Sequence, residues 1–413
     1  MDFSESELIK LRRSFMNLEH YVSRRNYKGY DPYDILMSKF PFKKLGKWPP
    51  IIAIQIFKRN PLNLRKLFAV PKGWNPKGLG LFLHGYSLLP KSEENEKKCQ
   101  WLFEKLLELR TPDTPGMAWG YNFPWASPEK YLEAWSPTSV VSGFIVQGLD
   151  AYYKKYGDKR ALEAMNQVCV FLTEALYHSD IENDYMISYS TVKADFCYNA
   201  SLLAAQAYAL TYAHTRQPAY YDIARKALDT VVSRQKSDGS WNYSENLQTK
   251  KQRVQIDFHQ GFIIDSSVAI SEALDYCPEH VERALQEGFE FYRDYQFKRD
   301  GRAVWRLPGD YPADIHHQAQ GIITAINYHK YSRSRRGVDL GKNVLKFTLE
   351  NFQDKRGYFY YRKHKNFTDR TSYMRWGNAW MFLAMASMLN AAEVQKTDKN
   401  IFSPLGREKP VAQ

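Results

Sequence analysis

An Asp-x-His triplet occurs twice in this chain, once at Asp257 and His259 and again at Asp314 and His316. A carboxylate and an imidazole held together can store and transfer a proton, and their surroundings decide which of them is protonated. We therefore predict acid–base catalysis, with Asp257 or Asp314 as the acid and His259 or His316 as proton donor or acceptor. The alternative is structural, because an Asp at a helix start is also a favoured N-cap.

Other aromatic and polar residues occupy the same kind of position, just before an apolar helix or in its first turns. Aromatic faces stack on the C–H faces of sugar rings, so we expect Trp119, Trp241 and Trp376 to contact sugar, and the planar fork of Arg375 to hold a substrate carboxylate. The alternative is that the recurring Trp and Tyr are packing residues of a repeat. The predicted substrate-binding residues are Trp119, Tyr121, Trp125, Asp195, Tyr198, Asn199, Trp241, His317, Tyr373, Arg375 and Trp376.

The junction between an aromatic-rich turn and an apolar helix recurs six times along the chain, at spacings of 58 to 61 residues. The six junctions lie near Gly78, Thr138, Asn199, His259, His317 and Trp376. An amphipathic helix follows the apolar one in each of the first five copies. Such a unit cannot bury its apolar faces alone, so the copies must pack against one another. The pattern predicts an all-α fold, an (α/α)6 toroid with short β turns at its loop end, and the alternative is an open helical solenoid.

The toroid is expected to be a single domain spanning residues 1–395. The sixth copy lacks its amphipathic helix, and the N-terminal helix within residues 1–25 can supply it and close the ring. Residues 396–413 are polar and are predicted to form a frayed tail. In a closed ring the loops that precede the apolar helices gather at one end, where they would form a concave pocket suited to a ligand.

A basic segment, residues 35–75, precedes the first apolar helix. No Asp or Glu occurs from Ile35 to Ser92, whereas ten Lys or Arg residues lie from Lys39 to Lys77, in a chain of net charge +13. Because Ile, Leu and Phe are interleaved with these charges, residues 35–77 could lie on an anionic membrane surface. A solvated linker and a basic rim that attracts an acidic substrate are the alternatives. We expect no nucleic-acid partner, since no recognised binding module is present.

Metal and cofactor signatures are missing from the sequence. There is no nucleophile elbow, H-E-x-x-H motif, P-loop or dinucleotide fingerprint, and the four cysteines form no C-x-x-C pair. We therefore predict no cofactor and no metal, and we interpret the cysteines as small core residues in a reducing compartment. No signal-peptide pattern or membrane-spanning run is present, so we expect a cytoplasmic protein, peripheral at the inner face of the membrane if the basic segment docks there.

Seven stretches of the chain resemble a bacterial family of six-hairpin toroid proteins that occur with capsule, exopolysaccharide and O-antigen biosynthesis enzymes. They are YKGYDPYD (27–34), KGLGLFLHGY (77–86), AWGYNFPW (118–125), YNASLLAAQ (198–206), DFHQGFIID (257–265), DIHHQAQGI (314–322) and MRWGNAWMF (374–382). The resemblance implies a glycosidase-like toroid and a role in cell-surface polysaccharide production. The family's G-Y-x-F-D-W-Q motif falls on residues 120–126, where this chain has Pro124 for Asp and Ala126 for Gln, a departure that favours a binding role.

Together these observations predict a carbohydrate-active protein of cell-surface polysaccharide biosynthesis. It would be a glycoside hydrolase, a lyase or an epimerase that acts on an acidic or amino-sugar-containing glycan. The alternative is a non-catalytic protein that binds a glycan or lipid-linked glycan at the membrane surface. An isoprenoid-acting toroid is disfavoured because the chain has no Asp-rich or D-x-D-D motif.

Overall fold

The computed structural model of the protein describes residues 3–181, 184–247 and 249–401. These residues form thirteen α-helices and nine short strands. The helices are α1 Glu5–Ser23, α2 Trp48–Arg59, α3 Pro76–Leu88, α4 Glu93–Glu108, α5 Ser139–Tyr156, α6 Lys159–Ala175, α7 Tyr198–Thr215, α8 Pro218–Val232, α9 His259–Leu274, α10 Glu279–Gln296, α11 Ile315–Ser332, α12 Arg335–Asn351 and α13 Trp380–Ile401. A π-helical turn, Met374–Ala379, leads into α13.

Six of these helices form a closed inner ring. Helices α3, α5, α7, α9, α11 and α13 each pack against the next, and α13 packs back against α3. Helices α4, α6, α8, α10 and α12 follow the first five as outer partners, and α1 packs on α13 as the sixth. The predicted (α/α)6 toroid is therefore confirmed, and the open solenoid is wrong.

Sequence accounts for which helices lie inside. Almost every described residue of α7 is buried, as expected for a helix that is apolar on all sides, whereas α10 buries one face and exposes charges on the other. Helix starts are capped in the expected way: Asn75 caps α3 and Thr138 caps α5. Helices α3 and α5 also approach closely, because a side-chain Cβ at Gly148 would lie 2.6 Å from the carbonyl oxygen of Gly80.

The strands all lie at the loop end, between an outer helix and the next inner helix. They form small antiparallel sheets rather than a layer of their own. The pairs are β1 Trp125–Ala126 with β2 Tyr131–Leu132, β3 His178–Ile181 with β4 Asp184–Ile187, and β5 Ser244–Glu245 with β6 Gln252–Arg253, while β7 Ala313–Asp314, β8 Arg362–Lys363 and β9 Thr368–Asp369 form a three-stranded sheet. These are the predicted β turns.

The basic segment is folded, so the solvated-linker interpretation is wrong. Helix α2 buries Ile51, Ile54 and Phe57 in a small second core that also contains Ile35 and Val70. Two short 3-10 turns, Asp34–Met37 and Phe42–Leu45, complete the segment.

Three further expectations can be compared with the structure. Cys99, Cys169 and Cys197 are buried as predicted, but Cys277 is exposed in the loop between α9 and α10, which corrects its assignment to the core. The polar tail predicted for residues 396–413 begins within α13 and from residue 402 onward lies outside the described residues. None of the described helices is long and apolar enough to cross a lipid bilayer.

Candidate functional site

The two Asp-x-His triplets lie side by side at the loop end of the ring, because α9 begins at His259 and the neighbouring α11 begins at Ile315. The ring of Phe258 stacks against both imidazoles, with its centroid 4.2 Å from that of His259 and 4.6 Å from that of His316. The structure thus brings the two predicted histidines together. We call the part of the loop end that surrounds these two histidines the mouth.

His259 and Asp257 form a hydrogen-bonded dyad. The Nδ1 atom of His259 lies 2.5 Å from Oδ1 of Asp257, whose other oxygen accepts a hydrogen bond from Gln255. Burial acts to raise the pKa of Asp257, but the charge and hydrogen bonds of His259, helped by Arg306, outweigh it and lower this pKa to about 2. Asp257 is therefore ionised at neutral pH, which does not favour its predicted role as an acid. Its carboxylate instead keeps a proton on Nδ1, which leaves Nε2 of His259 open to the mouth.

His316 is buried, and neither of its ring nitrogens has a hydrogen-bond partner among the described residues. Burial, reinforced by the nearby basic groups of Lys77 and Arg375, holds the pKa of His316 well below its usual range. Its imidazole stacks on Trp380 at 4.6 Å and meets Trp376 edge-on at 4.4 Å. Buried polar atoms are normally bonded, so both ring nitrogens of His316 are able to bind a group that enters the mouth.

Asp314 is fully engaged in structural contacts. Its carboxylate accepts hydrogen bonds from Arg362 Nε at 2.7 Å, from Trp376 Nε1 at 2.8 Å and from the backbone N–H of His316 at 3.0 Å. It is the N-cap of α11 and carries an ion pair. These contacts do not favour the catalytic acid role predicted for Asp314. Its contacts instead fix the positions of Trp376 and of the first turn of α11.

Arg375 is held by Asp31, a residue that the sequence analysis missed. The guanidinium donates to both carboxylate oxygens, at 2.6 and 2.8 Å, and both residues are buried. Because Asp31 already balances the charge of Arg375 and occupies two of its N–H groups, Arg375 is not free to bind a substrate carboxylate in the predicted way. Asp31 and Arg375 also line a cavity of about 260 Å³.

Aromatic side chains continue around the mouth. Tyr121, Tyr189 and Tyr243 are half-buried, and burial raises the pKa of each phenol, so their hydroxyls stay protonated and can donate hydrogen bonds. Tyr33 also packs against Trp376, with 5.5 Å between the ring centroids. Of the predicted binding residues, Tyr121 and Trp376 thus belong to the mouth.

Trp119 and Trp241, predicted to stack on sugar, are core residues, and their burial does not favour that role. Trp119 is 0% exposed and donates its indole N–H to the carbonyl of Leu106 at 2.7 Å; Trp241 is 1% exposed and donates to the carbonyl of Val231 at 3.0 Å. Both acceptors lie in the outer helix just before. The equivalent contacts show that these tryptophans are packing residues of the repeat.

Three further predicted binding residues have polar atoms that bind within the fold, which does not favour a role in binding substrate. The Tyr198 hydroxyl bonds to Glu245 at 3.3 Å, and the Tyr373 hydroxyl accepts from Arg65 at 2.8 Å. His317 donates Nδ1–H to a backbone carbonyl at 2.9 Å, and burial lowers its pKa to about 4.

The remaining predicted residues stay predictions. Asp195 forms an ion pair with Lys130 beside Tyr189. Trp125 is half-buried in β1 and packs on the core of the basic segment. Asn199 is buried, and its side-chain oxygen has no partner among the described residues.

Lys77 is a further residue that the sequence analysis missed. It lies in the first turn of α3, is only 3% exposed, and places Nζ 4.0 Å from the ring centroid of Phe144. Burial, with Arg375 nearby, holds its pKa well below the usual range. A signal was available: Lys77 is the only Lys, Arg, Asp or Glu in α3, but it was counted with the basic segment.

These contacts limit what the mouth can do chemically. Asp31, Asp195, Asp257 and Asp314 are each bound to a cationic or imidazole partner. Across the described ranges, no group of three or more His, Cys, Asp or Glu is placed to hold a metal ion. The imidazoles of His259 and His316 and the amine of Lys77 each have a nitrogen that no described residue binds, and such groups are suited to moving protons.

Comparison with known proteins finds likeness in structure only, as no family model and no curated protein sequence matches the chain. A cellobiose 2-epimerase from Bacillus thermoamylovorans is 13% identical, with 79% of this chain and 90% of that chain covered and a TM-score of 0.61. An unsaturated glucuronyl hydrolase specific for heparin is 11% identical, with 95% and 99% covered and a TM-score of 0.63. A GH76 α-mannanase from Bacteroides thetaiotaomicron is 15% identical, with 78% and 86% covered and a TM-score of 0.61. At such identities the likeness shows the fold alone, an (α/α)6 toroid.

Proposed function

We propose that this chain is a carbohydrate-active enzyme whose mouth binds a glycan and exchanges protons with it, as an epimerase, isomerase or lyase. The observation that carries the proposal is the pair of imidazoles on adjacent inner helices, surrounded by aromatic rings: no described residue binds either ring nitrogen of His316, and Asp257 binds only Nδ1 of His259. The comparison proteins include both an epimerase and hydrolases, so the fold alone does not choose between these reactions.

The carboxylates argue against hydrolysis. Most glycoside hydrolases need two carboxyl groups facing the scissile bond, one as acid and one as base or nucleophile. Among the described residues of the mouth, Asp257 and Asp314 are both committed to ion pairs, and Asp257 is ionised at neutral pH. Proton transfer between carbon and imidazole needs neither carboxylate to be free.

In the proposed reaction, His259 Nε2 removes a proton from the sugar carbon next to a carbonyl group, and His316 returns or exchanges a proton. Asp257 holds Nδ1–H of His259, which fixes the tautomer with a basic Nε2. The protonated hydroxyl of Tyr121 or Tyr189 is placed to donate to the oxygen that gains negative charge. We expect Asp257→Asn to lower kcat roughly 100-fold through loss of this orientation.

The experiment is to incubate the protein with a panel of uronate- and amino-sugar-containing oligosaccharides in deuterated, oxygen-18-labelled water and follow product mass. Carbon-bound deuterium supports the proposal, as does elimination that leaves a double bond. Solvent oxygen at a cleaved glycosidic bond would make the protein a hydrolase. Binding without turnover would favour the second candidate, a non-catalytic glycan-binding protein. His259→Asn and His316→Asn should lose turnover, whereas His280→Asn, an exposed histidine on α10, should keep it.

The family resemblance and the basic segment support a finer role: we propose that the glycan is an intermediate of surface-polysaccharide production, met at an anionic membrane. Helix α2 is apolar on both sides. Trp48, Ile52 and Ile56 are 57, 52 and 56% exposed at four-residue spacing, opposite the buried face. We call these three residues the α2 outer face.

Charge complementarity supports anionic lipid as the occupant of this face. Exposed apolar side chains of the same segment flank it, and so do exposed basic ones: Phe40, Leu45, Leu62 and Leu67, and Lys39, Lys44, Lys47, Arg59 and Lys66. Apolar insertion combined with basic charge is how interfacial helices bind anionic bilayers. Tyr33 joins the core under α2 to the mouth, since it contacts both that core and Trp376. A docked bilayer would therefore lie near the mouth.

Vesicle sedimentation tests this part. The protein should bind vesicles of phosphatidylcholine with phosphatidylglycerol and fail to bind phosphatidylcholine alone, and the binding should weaken with salt. Ile52→Ser with Ile56→Ser should reduce binding at least about tenfold. The matched control, Met16→Ser with Val254→Ser, changes exposed apolar residues elsewhere and should bind normally. The alternative occupant is a second copy of the chain. If sedimentation velocity shows that the wild type is a dimer and that the Ile52→Ser, Ile56→Ser variant is a monomer, the lipid assignment is overturned.

A further inference from the structure

The amine of Lys77 is held in an aromatic cage. Its Nζ lies 4.0 Å from the ring centroid of Phe144, 5.2 Å from that of Trp380 and 5.7 Å from that of Phe262. These rings come from α5, α13 and α9, so three inner helices converge on one nitrogen. Within the described part of the chain, no residue forms a hydrogen bond or ion pair with it.

The charges near Lys77 do not compensate an ammonium ion. Arg375 is the principal charged neighbour, and Asp31, the nearest acid, already balances Arg375 through two hydrogen bonds. Burial and the like charge of Arg375 both favour the uncharged amine. A structural lysine would normally reach solvent or an acid with its head group, because a buried unpaired ammonium is costly.

Lys77 also lies beside the proton-transfer residues. His316 stacks on Trp380, one wall of the cage, and both groups lie in the first turn of their inner helices. Phe262, another wall, lies 5.8 Å from the ring of His316 between centroids. The amine and the open imidazole nitrogens therefore belong to one site.

We propose that Lys77 is a catalytic nucleophile that forms a reversible imine with the carbonyl carbon of an open-chain reducing sugar. The amine nitrogen bonds to the carbonyl carbon, the carbonyl oxygen leaves as water after taking up protons, and a C=N bond replaces C=O. One of those protons comes from the amine itself, and the other comes from solvent, relayed through the uncharged imidazole of His316. No oxidant or reductant is needed.

The proposal rests on the proposed function and deepens it by naming the substrate class, a sugar with a free reducing end. A protonated imine withdraws electrons from the adjacent carbon, and so acidifies the C–H bond whose proton His259 and His316 would exchange. The cage would stabilise that cation through its ring faces. The aromatic cage thus suits both the uncharged amine before the reaction and the cationic imine that forms from it.

Reductive trapping tests the inference. The protein is incubated at neutral pH with a reducing hexose and cyanoborohydride, and the modified lysines are located by peptide mass spectrometry. We expect Lys77 to be labelled at least about tenfold faster than the exposed Lys97, because only an uncharged amine attacks a carbonyl. The methyl glycoside of the same sugar, which cannot open, should give no adduct. Labelling of Lys77 no faster than that of Lys97, or no labelling of Lys77, would overturn the proposal.

Two variants separate this inference from the proposed function. Lys77→Met and Lys77→Arg should lose the adduct, and an unchanged melting temperature or a higher one shows that the variant is folded. If Lys77→Met still exchanges carbon-bound hydrogen of a glycan with D2O at the normal rate, the imine is overturned while the proposed function stands. If Lys77 is trapped but no glycan undergoes exchange or elimination, the imine stands and the proposed function fails.

Discussion

At the scale of single residues, the mouth depends on side chains whose partners come from distant parts of the sequence. The Asp-x-His triplets predicted both histidines, because residue type and spacing at two helix starts are visible in the sequence. They could not predict that Asp257 binds its own histidine while Asp314 binds Arg362 and Trp376. That difference depends on which loops meet in the folded ring.

Replacing Lys77 with Met should stabilise the protein while it abolishes imine formation. A buried amine without a partner destabilises the fold, and Met fills a similar volume with apolar atoms. We expect the free energy of unfolding at pH 7 to rise by about 1–3 kcal/mol, measured by urea denaturation. A loss of stability in Lys77→Met would show that the ammonium and its cation–π contacts hold the cage together.

At the scale of elements, the six hairpins were predictable because their period fixes the size of the repeated unit. The layer formed by α2 was not, since its basic charges suggested a linker as readily as a folded segment. The positions of the tryptophans also depend on packing. Trp119 and Trp376 both occur at a junction between a turn and an inner helix, but Trp119 contacts α4 whereas Trp376 contacts His316 in the mouth. The sequence alone does not distinguish these two cases.

Close contact between inner helices gives a prediction at this scale. Gly148→Ala should destabilise the ring, because the added Cβ would lie 2.6 Å from the carbonyl oxygen of Gly80, a backbone atom that cannot rotate away. The clash should outweigh the helix propensity that Ala gains, for a net loss of about 1–3 kcal/mol in thermal or urea unfolding. Gly78→Ala, whose Cβ would meet Arg375 only at 3.4 Å, is the control and should change stability by less than about 1 kcal/mol. Equal effects of the two substitutions would contradict this account of the α3–α5 contact.

At the scale of the whole molecule, closure of the ring creates an interior as well as a mouth. An axial cavity of about 180 Å³ lies inside the inner helices and is lined by polar residues that include His84 and Asp265. Burial lowers the pKa of His84 to about 4 and raises that of Asp265 to about 7. The sequence did not predict this polar interior, because each residue is a single polar position on an otherwise apolar helix.

Buried histidines should make the fold sensitive to acid. The folded-state pKa of His84 lies below the unfolded value of about 6.5, so only the unfolded chain takes up this proton as pH falls from about 6.5 to 4, and stability decreases by up to about 1.4 kcal/mol per pH unit. Asp265 acts in the opposite sense, and Asp150, Lys154 and Lys330 are the charges nearest His84. As pH falls from about 6.5 to 4, the wild type should therefore lose more stability than His84→Gln does. Parallel stability curves for the two proteins would contradict the buried, uncharged state of His84.

The central claim is that His259 and His316 exchange protons with a carbon atom of a bound sugar. Its most direct test is the rate at which carbon-bound hydrogen of a processed glycan is replaced by deuterium in D2O, followed by NMR. We predict exchange at one carbon by the wild type, a loss of about 100-fold or more in His259→Asn and in His316→Asn, and a normal rate in His280→Asn. Turnover without deuterium at carbon, or undiminished exchange in both histidine variants, would contradict the claim.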